Sequence, residues 1–420
     1  MPVAPDYLSV VATPEYADDP YPILRRLRDT APAVPAGSGI WLVGRYRDVA
    51  RAVRDPALSC EFGRLDWYTR YFRARGVDGR FPLPLNALDP PDHRRIRSAI
   101  APEFLPAAVA ELRPLVNRTV QQVLDRLPAG GRTGFDLVDE VAYPVPVAVI
   151  AALFGIPDRD RPLLRRWSHE FGLASDPDQL LTDQQRAAAA EATRAAGGYF
   201  ARLLAQRRRS PGADLLTRWL AAARGAHPMS FGELLVNGVF LLIVGHHNTV
   251  SLISNGMLAL LRNPDQLALL RREPGLLPGA VEELLRFDSP VQTATRVTTT
   301  PYDVDGVVIP AGRQVMLLLG SANRDEREFA DPDRLDLRRP HAGRNLGLGR
   351  GSHACLGAAL ARLEVAATLA GLLERFPRLV PAGPVTRRVP GFTLRGLTRF
   401  PVRLAGPAAA GWPAPGSTVN

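Results

Sequence analysis

The densest chemistry in the chain lies in ten residues, Leu348-Gly349-Arg350-Gly351-Ser352-His353-Ala354-Cys355-Leu356-Gly357, followed at once by the helical pattern Ala358 to Phe376. Three glycines give the backbone access to positive φ and let it pass close to a flat ligand. Cys355 stands just ahead of a helix start, where free N–H groups and the dipole favour a thiolate, a strong iron ligand. A glycine turn around a small buried cysteine is the blander alternative. In Asp89-Pro90-Pro91-Asp92-His93-Arg94-Arg95-Ile96-Arg97, His93 and Arg97 are four apart. They share a helix face and can bind one anionic group, or form a solvated basic face. After Gly245 comes His246-His247-Asn248-Thr249, polar residues inside an apolar run. Such a cluster is costly unless paired, so it is either satisfied structure or a site. His247 can titrate near neutral pH, whereas Asn248 can donate a hydrogen bond but relays protons poorly.

The elements that must position these groups are mostly helical. One helix starts near Asp19-Pro20, a strand covers Ile40 to Val43, and a second helix carries Tyr46, Val49, Ala50 and Val53 on one face. Prolines and Asp92 open the helix of His93 and Arg97. Helical patterns follow at Arg113 to Leu127 and Gln184 to Arg208. Ser230-Phe231-Gly232-Glu233 is a capping-box signature, and the pattern after it runs to Asn263-Pro264. That is a helix of about 33 residues, on the order of 50 Å long, apolar all round from Val239 to Val244. Glu283 and Arg286 share a later helix face. Asp305-Gly306 marks a hairpin, and Gly391-Phe392-Thr393-Leu394 a turn reaching inward. The irregular stretch Glu61 to Leu88 has a length that is uncommon unless functional.

With 420 residues, 46% of them apolar, the chain can build a large core, and no linker divides residues 20 to 400. A single domain is expected over 1–405, with an Ala/Pro/Gly-rich disordered tail at 406–420. No window gives about 18 to 20 uninterrupted apolar residues, and Met1 to Asp19 lacks a basic start and an apolar core. A soluble cytoplasmic protein without membrane contact is expected. A disulfide between Cys60 and Cys355 would remove the proposed ligand, so both are read as reduced thiols. The net charge of +10 is scattered, with no compact basic, aromatic-interleaved segment. This argues against nucleic acid and for an acidic protein partner.

The loop at 348–357 resembles the heme-binding loop of the cytochrome P-450 family, Phe-Gly-x-Gly-x-His-x-Cys-x-Gly, with Leu348 in place of the leading Phe. The resemblance implies that Cys355 is the thiolate ligand of the iron of heme b (iron protoporphyrin IX). Gly349 and Gly357 would lie against the heme. The segment from Asp89 resembles the family's Asp-Pro-Pro-x-His-x-x-x-Arg, which makes His93, Arg97, Arg296 and His353 partners of the heme propionates. Glu283-Leu284-Leu285-Arg286 resembles the family's Glu-x-x-Arg, whose network with a later arginine, here Arg339, supports the cysteine loop. The long helix matches the one crossing the distal heme face, normally Ala-Gly-x-Glu/Asp-Thr-Thr. Here His247 takes the acid position and Asn248 the alcohol position, with Thr249 one place later. One residue is about 100° of helix, so Thr249 replaces the missing hydroxyl only through a local bulge. By the same resemblance Asn86, Ala87, Val244, Val291, Thr293 and Phe392 are substrate contacts, and Phe171 to Gln184 belongs to a mobile lid.

The resemblance covers roughly residues 15 to 405 and implies a mainly α fold with small β-sheets. Heme would lie between the long distal helix and the helix after the cysteine loop. It implies oxidation of a hydrophobic small molecule, with dioxygen and two electrons relayed from NAD(P)H through ferredoxin reductase and ferredoxin. A monooxygenase tailoring a secondary metabolite, as in antibiotic biosynthesis, is the expectation. The altered distal pair keeps two alternatives open: oxidative C–C or C–N coupling without oxygen insertion, and a heme-binding sensor without turnover.

Overall fold

The computed structural model describes residues 7–11, 13–61, 82–127, 134–173, 175–176, 180–389 and 391–404. The 406–420 tail and most of the irregular 61–88 stretch therefore lie outside the described residues. Five helices build the site: α1 (Asp92–Ile100), α2 (Arg161–Leu173), α3 (Phe231–Arg262), α4 (Leu277–Phe287) and α5 (Ala358–Arg375).

Helix α3 begins where its sequence says it should. The Ser230 hydroxyl accepts from Glu233 N–H at 3.2 Å, and the Glu233 carboxylate accepts from Ser230 N–H at 2.7 Å. Two of the four free N–H groups at the helix start are thereby satisfied. By length and composition α3 is apolar enough to cross a membrane, but 61% of its most apolar window is buried inside the protein. Its first half, Leu234 to Ile243, packs with Phe154, Phe200 and Trp219. Its second half, Val250 to Leu261, packs with Leu284 of α4 and with Val365 and Leu369 of α5. The packing is close enough to demand glycine at 238, where a Cβ would lie 1.9 Å from the Phe200 ring. The two clusters part at residues 244–249, where Val244, Gly245, His247 and Asn248 are only half-buried in an otherwise buried segment.

A five-stranded sheet flanks the helices. It contains β1 (Ala33–Pro35), β2 (Ile40–Val43), β3 (Leu58–Ser59), β4 (Thr293–Thr298) and β5 (Gln314–Leu318), in the order β1-β2-β5-β4-β3. Only β2 and β5 are parallel, Trp41 standing opposite Val315, and β4 pairs antiparallel with β5, Arg296 opposite Val315. All five residues of β5 are buried, as a central strand covered on both faces requires. The expected hairpin forms as Tyr302–Val304 and Val307–Ile309, with Asp305 and Gly306 at φ +50° and +85°. Positive φ at both turn residues is what a tight two-residue turn needs to match the strand twist.

Candidate heme and substrate site

The loop ahead of α5 is held by its own backbone: Cys355 N–H donates to Leu348 O at 2.8 Å, and Ala354 N–H to Gly351 O at 3.1 Å. Gly349 and Gly351 adopt φ of +66° and +75°, while Gly357, at the helix start, has φ −84°. Two of the three glycines thus use the left-handed region. A Cβ on Gly357 would meet no atom of the described residues within 4 Å, so none of them demands glycine there. A flat group lying on the loop would.

Cys355 has accessible surface although protein surrounds it deeply, which places it in a recess rather than on an outer face. Burial pushes the thiol up, against the Gly357 N–H and the charges of Arg97 and Arg362, which pull it down. This corrects the sequence expectation: the helix start alone does not produce a thiolate. Coordination to a metal deprotonates a thiol outright, and the two arginines then face the negative sulfur. Cys60, 2% exposed, is also free, and burial pushes its thiol up to about 11.

The expected anion partners do converge on this loop. Arg97 Nη2 donates to Ala354 O at 2.8 Å, gripping the residue before the cysteine. The rings of His93 and His353 lie 4.0 Å apart at 33°. Arg296 donates to Thr295 O and Val53 O, at 2.8 and 3.4 Å. His93 is 3% exposed, and its Nε2 is buried with no hydrogen-bond partner. Burial, then Arg97, pulls His93 down, and burial, then His93 and Arg296, pulls His353 down to about 3. Both shifts favour neutral imidazoles, whose N–H groups can still make charge-assisted hydrogen bonds to a carboxylate beside the two charged arginines. Two cations beside two tilted imidazole rings, one of which has a buried nitrogen with no partner among the described residues, fit a dianionic heme edge.

The support network is built on buried ion pairs. Glu283 and Arg286, both fully buried, pair bidentately at 2.7 and 2.9 Å, and Arg339 Nε reaches the same carboxylate at 3.1 Å. Arg286 also donates to Asn323 O and Pro332 O, at 2.9 and 2.8 Å. The Asn323 side chain in turn accepts from Leu346 N–H at 2.7 Å. The network thus holds residues 323–339 and reaches the cysteine loop through Asn323, one step less directly than expected.

On α3 the adjacent histidines divide. His246 is the satisfied core histidine, its Nδ1 on Leu242 O at 2.8 Å and its Nε2 against the Ser168 hydroxyl at 2.6 Å. His247 is only half-buried, and its Nε2 meets Arg388 Nη2 at 3.0 Å. Burial first, then Arg388, holds His247 well below its usual range. That overturns the expectation that it titrates near neutral pH. The helix is continuous through 249, and Thr249 is 5% exposed, so no bulge brings its hydroxyl to the Asn248 position.

Of the expected substrate contacts, Val244 and Val291 are half-buried and Asn86 is exposed. Thr293 is 4% exposed with an unpartnered Oγ1. Phe392 and Ala87, at 1% each, are corrected to core residues: Phe392 packs with Tyr16, Leu24 and Met316 because the 391–394 turn is sewn to residues 290–292. Those stitches are Gln292 N–H to Thr393 O and Arg395 N–H to Pro290 O, at 2.9 and 2.7 Å. Ser168, Asp176 and Arg388 were not found from sequence. Only Arg388 left a trace there, as part of Arg387-Arg388 just ahead of the inward turn.

A glycine loop that presents a recessed cysteine just ahead of a helix, flanked by cations for a dianion, fits a heme-thiolate protein. The family model for cytochrome P450 matches residues 82–394, and the chain belongs to that family. It is 41% identical over 379 residues to cytochrome P450 107B1 of Saccharopolyspora erythraea, covering 87% of this chain and 90% of that protein. It is 40% identical over 399 residues to the monooxygenase PikC of Streptomyces venezuelae, covering 93% and 92%. Among solved structures it resembles CxnD, a P450 for C–S bond formation in chuangxinmycin biosynthesis, with TM-score 0.82, 35% identity and coverage of 92% and 94%. The chain is an oxidoreductase with the P450 fold, binds heme b and acts on small molecules.

Proposed function

We propose that the chain oxidises a hydrophobic secondary metabolite in the bacterial cytoplasm, using dioxygen and two electrons delivered by a ferredoxin and its NAD(P)H-dependent reductase. The observation that carries this is the deep, recessed Cys355, gripped by Arg97 through Ala354 O at 2.8 Å. In this reading Cys355 is the iron ligand, Arg97 and Arg296 neutralise the heme carboxylates, and His93 and His353 donate to them. The heme supplies one-electron and dioxygen chemistry that no side chain here can. The polypeptide orients the substrate on Val244 and Val291, excludes water through the two apolar clusters and holds the proton inventory on α3.

That inventory is short. His247 is neutral and Asn248 is an amide, so neither delivers a proton readily. Protons must come from water or from the substrate, or the reaction must need none. The last possibility supports a second reading, oxidative coupling or cyclisation without oxygen insertion, and the similarity to a C–S bond-forming P450 adds to it. Turnover under labelled dioxygen decides: label in the product establishes insertion, and an unlabelled product with a new bond establishes coupling. A protein whose ferrous carbon monoxide complex lacks the red-shifted band of thiolate ligation would refute both readings.

A further inference from the structure

We infer that His247 is a substrate-recognition residue, which presents an Nδ1–H donor to a carbonyl or carboxylate oxygen of the substrate because Arg388 fixes its tautomer. The inference deepens the proposed oxidase reading and rests on it for the location of the cleft. A guanidinium has donors and no acceptor, so at 3.0 Å Arg388 Nη2 donates and His247 Nε2 accepts. The single proton of the neutral ring therefore sits on Nδ1.

Among the described residues Nδ1 has no hydrogen-bond partner, yet it is not a sealed polar atom as the neighbouring Asn248 Oδ1 and Arg388 Nη1 are. It keeps accessible surface instead, at a helix position that is half-buried beside the buried His246. A free donor one helical turn from the half-buried Val244, on an otherwise apolar stretch of the helix, is satisfied best by a ligand that brings an acceptor oxygen. An aliphatic group placed there would leave it unpaired.

Arg388 is itself held from three sides. A Cβ on Gly172 of α2 would lie 2.3 Å from Nη1, so the guanidinium lies flush against that helix only because residue 172 has no side chain. Asp176 faces it as a counter-charge without forming an ion pair, its Oδ1 accepting from Thr393 N–H at 2.7 Å. His247 completes the seat. The charged and titratable groups facing His247 are Arg388, His246 and, from α2, His169, all of which oppose a second proton on the ring.

The test uses holoenzyme as its ferrous carbon monoxide complex, which is diamagnetic, with ¹⁵N-labelled histidine. The Soret band of the sample reports thiolate ligation and so tests the oxidase reading. The ¹⁵N correlation of His247, assigned by its loss in His247→Asn, tests the inference independently. A protonated Nδ1 and a bare Nε2, unchanged from about pH 5.5 to 8, are expected. An Nε2–H tautomer, or titration within that range, would overturn the inference even with a normal Soret band. In Arg388→Leu the Nε2–H form should appear.

Recognition is read by equilibrium binding of decanoic acid, methyl decanoate and decane. Acid or ester should bind about tenfold more tightly than decane. His247→Asn, which keeps a donor near the Nδ1 position, should retain that preference, and His247→Ala should lose it. A stronger preference for the acid identifies a carboxylate, and an equal one a neutral carbonyl. Equal binding of all three, or binding of none, overturns the recognition role.

Discussion

Arg286→Ala tests the link between the buried charge network and the heme loop. The substitution leaves the fully buried Glu283 carboxylate without its bidentate partner and two carbonyls, Asn323 O and Pro332 O, without their donor. Removing one member of a buried ion pair costs about 3–5 kcal/mol. Arg339, at 3.1 Å, still contacts the carboxylate and keeps the loss within that range. At about 2.1 cal/mol/K per residue, 420 residues give an unfolding entropy of roughly 0.9 kcal/mol/K, so the melting temperature should fall by about 3 to 6 °C. Circular dichroism at a fixed scan rate reads this on heme-loaded protein. Because Asn323 also holds Leu346 N–H, the variant should release heme faster to an apomyoglobin acceptor than wild type does. A variant melting less than about 1 °C below wild type, with unchanged heme release, would refute the idea that this network supports the loop. Replacing both Glu283 and Arg286 by alanine should cost less than the two single losses combined, since no buried charge is then abandoned at that pair.

Other outcomes follow from single contacts. Gly238→Ala forces a Cβ to within 1.9 Å of the Phe200 ring and should destabilise the protein by about 1–3 kcal/mol, read by guanidinium unfolding; a neutral result would mean that α3 is free to shift. Asp288, which accepts from Arg395 at 2.6 Å and Tyr21 at 2.8 Å, would be raised by burial alone, but Arg395 and Arg387 outweigh that and hold it at about 2. A depressed carboxylate stabilises the fold above about pH 4 and loses that contribution as pH falls toward 2, so Asp288→Asn should be destabilised at pH 7 and should flatten the acid limb of the stability curve. Burial holds Asp176 up at about 6, the opposite case: its contribution is largest below pH 4 and declines toward pH 6, a slope that Asp176→Asn should remove. Cys355→Ser should abolish the thiolate-type carbon monoxide spectrum while leaving far-UV circular dichroism unchanged.

What was legible in the sequence was local. The glycine loop, the Ser230–Glu233 box and the Glu283–Arg286 spacing are all patterns within ten residues, and backbone geometry turns each into a defined contact. What escaped lies between segments. Ser168 reaches His246 across 78 positions and Arg388 reaches His247 across 141, so no periodicity could announce either. Those two contacts separate the buried, doubly bonded His246 from the half-buried His247. Phe392 was misread for a related reason: the turn does reach inward, but its stitches to residues 290–292 roll the ring toward Tyr16. The thiol was misjudged because a helix start is visible in sequence and the burial that outweighs it is not.

The Glu233 carboxylate that closes the α3 capping box also receives Arg95 of α1 at 2.5 Å, and Arg95 donates to Pro228 O at 2.6 Å. The helix bearing His93 and Arg97 is thereby bolted to the start of the helix bearing His247. For chimeras built from related enzymes, the segment around 92–100 and the segment around 228–233 form one inheritance unit. A crossover that separates them strands an arginine on one parent and a carboxylate on the other, and shifts both walls of the cleft at once.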